Sequence, residues 1–233
     1  MSSELPDLSG IGTSLIGREI EHVEDPEKVK ERMNARVEDG AAEGLVVIGG
    51  IVGDRSIEGL RMCLLLRPKI APGQASVLPL ISALCISKAV STSAFIETGT
   101  VWPGNVVMEE EIAATVVHEA SSREDDLEYV VLDMKIDPSG SISRDLKVDA
   151  FSFLKDLLIF LDMHYVSVKE GEIEQLLDKW TERCSMIGEK VRIRTSDGSV
   201  SGTVLGIDQT GGLVIKDHQE MKRVDMEQFA GFV

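Results

Sequence analysis

Apolar positions divide this chain into two regimes. Through about residue 187, helical and strand periodicities alternate. From Gly188 onward only the short period of strands and the residues of tight turns remain. The first helical signal opens at Asp25. Asp25 can cap the helix, Pro26 suits its first position, and Val29, Met33 and Val37 recur on one face until Gly40 stops it. Leu45 to Ile48 reads as a buried strand, and Leu60 to Leu66 as another. Ser76 stands where a cap belongs and Pro79 falls in the first turn of an almost uniformly apolar helix running to about Ser93. A helix apolar all round must be buried, here against a sheet.

Phe95 to Trp102 and Ile112 to His118 follow as strands, with Met108-Glu109-Glu110-Glu111 an acidic turn between Val107 and the second of them. Arg123 to Asp126 is a charged loop before the strand Leu127 to Ile136. Lys147 to Val166 is a long amphipathic helix carrying Phe151, Leu154, Leu158, Phe160 and Leu161. Gly171 ends that segment, and Glu172 to Cys184 forms another helix with Leu176, Leu177 and Trp180. In the last stretch Val191, Ile193 and Thr195 alternate with charges, and Ser196-Asp197-Gly198-Ser199 marks a hairpin. Val200 to Ile207, Leu213 to Ile215 and Met221 to Val224 complete a small barrel, with Gln209-Thr210-Gly211-Gly212 as a turn. The pattern predicts an α+β chain: a mixed sheet flanked by helices over residues 1–187, then a small β-barrel over residues 188–233. Residues 1 to about 20 are a polar start whose Gly10, Gly12 and Gly17 oppose a long helix.

Charge narrows the functions. The formal net charge is −16, almost all of it before Gly188. Such a surface repels phosphate backbones, so no nucleic-acid partner is expected. The richest apolar run, Val77 to Val90, is interrupted by Pro79 and Lys88, and no membrane partner is expected. Met1-Ser2-Ser3-Glu4 has neither a basic nor an apolar leader, and Cys63, Cys85 and Cys184 fit no disulfide framework or zinc spacing, so the expected location is cytoplasmic. The four histidines are scattered. His118-Glu119 lacks the second histidine of a helical zinc site, and Ser139-Gly140-Ser141 lacks the context of a nucleophile.

One stretch carries more. Val101-Trp102-Pro103-Gly104-Asn105-Val106, followed by Ile112-Ala113-Ala114-Thr115-Val116-Val117-His118-Glu119-Ala120, resembles the central motif of the biotin protein ligases. There a lysine precedes Trp-Pro, Asn-Asp-Val follows, and the next strand reads Lys-Ile-Ala-Gly-Ile-Leu-Val-Glu-Ala. The two align without a gap. Leu64-Leu65-Leu66-Arg67-Pro68 matches the family's Leu-Leu-Leu-Arg-Pro, and the turns after Gly188 are similar to the SH3-like C-terminal domain of that family. The resemblance runs from about Ile16 to the end. It implies a class II synthetase-like biotin ligase domain, followed by an SH3-like barrel.

The departures fall on groups the family uses. Its lysines are Val101 and Ile112 here, and Asn-Asp is Gly104-Asn105. Its Ser-Thr-Asn signature before the first helix is Val23-Glu24-Asp25-Pro26. Its long Gly/Arg loop, which closes over biotin and the adenylate, is a much shorter Gly49 to Gly59 stretch with one arginine, Arg55. Where its strand ends Gly-Ile-Gly-Ile-Asn, this chain reads Leu132-Asp133-Met134-Lys135-Ile136-Asp137, without the glycines that mark close approach of a ligand and without the Asn.

By resemblance, the ligand-cleft positions are Trp102, Pro103, Gly104, Asn105, Ile112, Thr115 and Arg55. Trp102 could stack on a ring or pack in the core, and Arg55, Arg61 or Arg67 could replace the lost cations. No residue is assigned a catalytic role and no metal site is assigned. No cofactor is expected, whereas the family uses biotin, ATP and Mg. The expectation is a catalytically inactive binding or assembly protein, a homodimer or the ally of an unidentified protein. The alternative is an active biotin–[carboxyl carrier protein] ligase, forming biotinyl-AMP with relocated groups. An enzyme of different chemistry would need a nucleophile, metal cluster or carboxylate pair that the sequence does not offer.

Overall fold

The computed structural model describes residues 8, 10–53, 56–137 and 150–233. The first layer is a seven-stranded sheet. Its strands are β1 (Ile20–Val23), β2 (Val46–Gly53), β3 (Ser56–Leu66), β4 (Gly99–Val101), β5 (Asn105–Met108), β6 (Glu111–Arg123) and β7 (Asp126–Ile136), in the order β1-β2-β3-β7-β6-β5-β4. β1 runs parallel to β2 and every other neighbouring pair is antiparallel, so the sheet is mixed.

Three helices cover one face: α2 (Val77–Ala94), α3 (Ala150–Lys169) and α4 (Ile173–Thr181). Leu80, Leu84, Phe153, Leu157 and Trp180 meet Leu64, Val116 and Leu132 of the sheet in one buried cluster. The helical stretch Pro72–Ser93, most of it α2, is long and apolar enough to cross a membrane, but 83% of its apolar window is buried inside the fold. On the opposite face lies α1 (Val29–Glu38), whose Val29 and Met33 are wholly buried against Val47, Cys63, Leu65 and Val131. Its start follows the sequence: Asp25 accepts from the Glu27 amide, Pro26 opens a short 3-10 turn, and Gly40 takes φ +79° beyond the last turn.

The carboxy-terminal module is a five-stranded antiparallel sheet of β8 (Lys190–Thr195), β9 (Gly198–Ile207), β10 (Leu213–Asp217), β11 (Glu220–Val224) and β12 (Phe229–Phe232). Its strand order is β11-β10-β9-β8-β12. Ile193, Val204, Leu213, Ile215 and Val224 form its interior. A mixed sheet with flanking helices followed by a small β module is the fold that the hydrophobic pattern predicts.

Several boundaries differ, each for a physical reason. The Gly49 to Gly59 connection is mostly strand: Ile51 pairs with Glu58, Val52 with Ile57 and Gly53 with Ser56. Ile51, Val52 and Ile57 are β-branched and favour a strand despite the four glycines, and Gly50 serves a bulge at φ +120°, where a Cβ would stand 2.6 Å from the Gly59 carbonyl oxygen. Arg55 lies outside the described residues, as do the first residues of the helix expected from Lys147 and the Ser139-Gly140-Ser141 turn. Of the strand expected over Phe95 to Trp102, only Gly99–Val101 pairs. Phe95 ends α2 in the left-handed region at φ 56°. The helix expected over Glu172 to Cys184 is limited to Ile173–Thr181. β1 and β12 are edge strands too short for an alternation to show. Ser76 makes no cap bond; its hydroxyl donates to Glu227 of the carboxy-terminal module at 3.2 Å.

One buried acid ties the amino-terminal segment to α3. Asp162 accepts from the amides of Ser14 (2.7 Å), Leu15 (2.9 Å) and Ile16 (2.8 Å) and from the Ser14 hydroxyl (2.9 Å). Burial alone would raise its pKa, but these bonds outweigh burial and hold it below the ordinary carboxylate range. A depressed folded-state pKa adds stability that is complete above the unfolded-state pKa, about 4. That stability is lost as pH falls through the folded-state value. Asp162→Ala is therefore expected to cost roughly 2–3 kcal/mol at neutral pH. The gap to wild type should close as pH drops below about 4, as read by urea denaturation at both pH values.

Candidate functional site

Register brings a single row of residues across all seven strands. Val23 pairs with Gly49, Gly49 with Arg61, Arg61 with Lys135, Lys135 with Thr115, Thr115 with Asn105 and Asn105 with Val101. Directly opposed residues share a face, and this face is the one that α1 partly covers. The row therefore gathers Val101, Asn105 and Thr115 on the α1 side. Thr115 and Asn105 are half-buried, and Ile112 is 59% exposed two residues past the Glu109-Glu110 turn.

Trp102 alternates to the other face. Its ring is wholly buried, lies edge-on to Phe229 with centroids 5.1 Å apart, and its Nε1–H donates to the Gly211 carbonyl at 2.9 Å. Core packing is thus its place, at the seam with the carboxy-terminal module, and no face of the indole opens into the row. The Trp102–Pro103 peptide is cis. Gly104 lets this turn close on β6: the Val116 amide donates to its carbonyl at 2.8 Å, and a Cβ on Gly104 would stand 2.5 Å from the Val116 carbonyl oxygen. The loss of a side chain at position 104 is therefore structural as well as chemical.

The centre of the row is filled by an ion-pair group that the sequence reading did not assemble. Arg61 Nε donates to Asp133 Oδ1 at 2.9 Å, and its Nη2 donates to Oδ2 at 2.7 Å. Its Nη1 reaches Glu27, at the start of the helical segment before α1, at 3.3 Å. Asp133 is 6% exposed. The side-by-side fork is the strong form of this pairing. The signal was present as Arg61 and Asp133 inside the apolar strands Leu60–Leu66 and Leu127–Ile136, since a charge at a buried strand position requires a partner. Asp133 pairs in register with Cys63, whose thiol is pushed up to about 12 by burial first and by the Asp133 charge second. The Arg61 guanidinium is held above its usual range by its bond to Asp133, so it stays charged and committed to that carboxylate.

The other expected cations fare differently. Arg67 sits at the end of β3, where Nη2 donates to the Ala41 carbonyl at 3.2 Å and the guanidinium lies over the Tyr129 ring. Lys135 is exposed in the row with no hydrogen bond or ion pair to the described residues. His118 points from β6 toward the opposite face, and burial lowers its pKa while Glu227 partly restores it.

A mixed sheet with this helical cover and a small carboxy-terminal β module is the arrangement of a biotin protein ligase. Residues 186–225 match the family described as the biotin protein ligase C terminal domain. The chain is 20% identical to the bifunctional ligase/repressor BirA of Bacillus spizizenii over 92% of its own length and 74% of the relative's. It is 23% identical to that of Bacillus subtilis over 71% of its own length, spanning only 56% of that relative. The biotin protein ligase of Aquifex aeolicus shares the fold with a TM-score of 0.73 at 19% identity, covering 91% of this chain and 97% of that one. A biotin protein ligase-like protein of unknown function from a Silicibacter species shares it at 0.72 and 20% identity, covering 91% and 96%. The chain thus has the fold of the biotin protein ligases, and its residues 186–225 match the C-terminal domain of that family.

Proposed function

We propose that this protein is a biotin protein ligase-like binding or assembly protein that does not form biotinyl-adenylate. The observation that carries the reading is the Glu27–Arg61–Asp133 group. Where the family keeps two glycines for close approach of its ligand, this chain has Asp133, buried and paired, and Lys135. Adenylation needs cations free to hold a triphosphate and to offset charge developing on oxygen. Val101 and Ile112 offer neither charge nor a donor, and Arg61 is spent on two carboxylates. The residues present do not fit biotin and ATP in that position. The test is biotin-dependent exchange of pyrophosphate into ATP, for which no activity above background is expected.

The alternative, an active biotin–[carboxyl carrier protein] ligase with relocated groups, has one observation in its favour: Lys135, in the row beside Thr115, has no partner among the described residues. A single lysine replaces one of several lost cations and supplies none of the bidentate donors of an arginine-rich loop.

The same face supports self-association. Val117 and Ile112, on β6, are 51% and 59% exposed. A two-fold homodimer would bury them, opposed by the repulsion of two chains of net charge −16. Light scattering across a salt series is expected to show a dimer that tightens as salt rises, and a monomer mass at every ionic strength would end the proposal. An unidentified protein partner is the other occupant in keeping with a binding role, and co-purification from the native cell would name it.

A further inference from the structure

The outward face of the carboxy-terminal sheet carries charge of the sign opposite to that of the whole chain. Lys190, Arg192 and Arg194 alternate along β8 with Ile193, which is buried in the module's interior, so all three cations lie on the outer face and are exposed. Register sets a hydroxyl beside each: Lys190 pairs with Thr203, Arg192 with Ser201 and Arg194 with Ser199 of β9. The first of these rows continues to β10, where the exposed Lys216 pairs with the same Thr203. Directly opposed side chains stand about 5 Å apart. Four residue steps along β8 and two strand spacings across the sheet give a basic, hydroxyl-rich area of about 13 by 10 Å.

The fold does not use this charge. Among the described residues none of the four cations is paired with a carboxylate, and Arg194 Nη2 donates to the Ala230 carbonyl at 3.4 Å. The neighbouring Lys222 and Arg223 of β11, by contrast, are paired with Asp217, Asp208 and Asp225. Asp217 follows Lys216 but alternates to the other side of β10, and Glu189 and Asp197 lie beyond the two ends of β8. In a chain with 40 acidic and 24 basic side chains, four cations on one face with no acid among them are the reverse of what composition supplies.

We propose that this face docks an extended acidic segment of a partner protein, with Arg192 and Arg194 forking onto carboxylates, Lys190 and Lys216 adding point charges and the β9 hydroxyls donating alongside. Alternate residues of β8 are about 7 Å apart, and so are alternate residues of any extended chain. A segment with Asp or Glu at every second position therefore meets one cation with each carboxylate, and a guanidinium fork matches that group in shape as well as in charge. Single-stranded nucleic acid is held on aromatic platforms, and this face has none: Phe229 and Phe232 of β12 pair with Thr195 and Ile193 and share their opposite face. The net charge of −16 also repels a long polyanion. The inference rests on the binding role proposed above and gives its partner a chemistry. Pyrophosphate exchange tests that role and peptide binding tests this face, so either can fail alone.

The test is fluorescence anisotropy of a short labelled peptide of alternating Glu and Ser, titrated with the full chain. Saturable binding is expected, weakening as salt rises to about 0.15 M, and the same peptide with Gln for Glu is not expected to bind. Arg192→Gln and Arg194→Gln are each expected to weaken binding about three- to fivefold, and the pair Arg192→Glu, Arg194→Glu to abolish it. Both positions are exposed, so Tm is expected to hold in every variant. Lys69→Gln removes the same charge at an exposed lysine outside the patch and is expected to leave binding unchanged. Failure of the alternating peptide to bind would overturn the proposal, as would wild-type binding by the charge-reversed pair or equal loss in Lys69→Gln. Tighter binding of a thymidine oligonucleotide of equal charge would overturn it in favour of single-stranded nucleic acid. A dimer that loosens with salt and is lost in the charge-reversed pair would overturn it in favour of a second copy of this chain.

Discussion

Trp102→Ala is expected to destabilise the chain by about 3–5 kcal/mol, the range for emptying a fully buried aromatic site. The indole is wholly buried, it bridges the β4–β5 turn to Phe229, and its Nε1–H satisfies the Gly211 carbonyl. Removal leaves a cavity at the seam and an unpaired acceptor inside it. The seam cannot collapse easily, because Gly211 already approaches α2 so closely that a Cβ there would stand 2.8 Å from the Ser76 carbonyl oxygen. For a chain of this size the loss corresponds to roughly 8–15 °C in Tm. Trp102→Phe keeps an edge contact but strands the Gly211 carbonyl, so an intermediate loss of about 1–3 kcal/mol is expected. Denaturant titration reads both. A loss under about 1 kcal/mol for the alanine variant would mean that the module docks without this residue.

Asp133→Ala is expected to cost about 3–5 kcal/mol, because it leaves the Arg61 guanidinium buried with only the exposed Glu27 for company. The double variant Arg61→Leu, Asp133→Leu removes both charges and should cost markedly less than Asp133→Ala. The order of these losses is the informative result: a buried pair is expensive to halve and cheap to remove whole. A double variant no better than the single would show that the pair contributes specific bonds the sheet cannot do without.

The long elements were legible because their periodicity is long. α2 and α3 carry apolar residues over four or more turns, and β6 and β7 carry theirs in strands that run beyond the expected ends. β1 and β12, of four residues each, were not legible, since four positions cannot set a period apart from chance. The glycines at 49, 50, 53 and 59 suggested a loop where a bulged hairpin stands, because a glycine count does not reveal which of them a bulge needs.

At the site, adjacency in sequence and adjacency in space diverged. Trp102 and Asn105 are three residues apart yet face opposite sides of the sheet. Arg61 and Asp133, distant in sequence, form the pair that fills the row. Lateral register carries that information, and a single strand pattern does not contain it.

The most direct measurement is the exchange of labelled pyrophosphate into ATP by the purified chain, with and without biotin. The expected rate equals the no-enzyme control in both cases. Restoring lysine at Val101 and Ile112 is expected to leave it there, because Arg61–Asp133 still fills the row and no arginine-rich loop closes over it. Biotin-dependent exchange above the control by the wild-type chain, abolished by Lys135→Ala or Arg55→Ala, would contradict the proposed function and establish relocated catalytic groups.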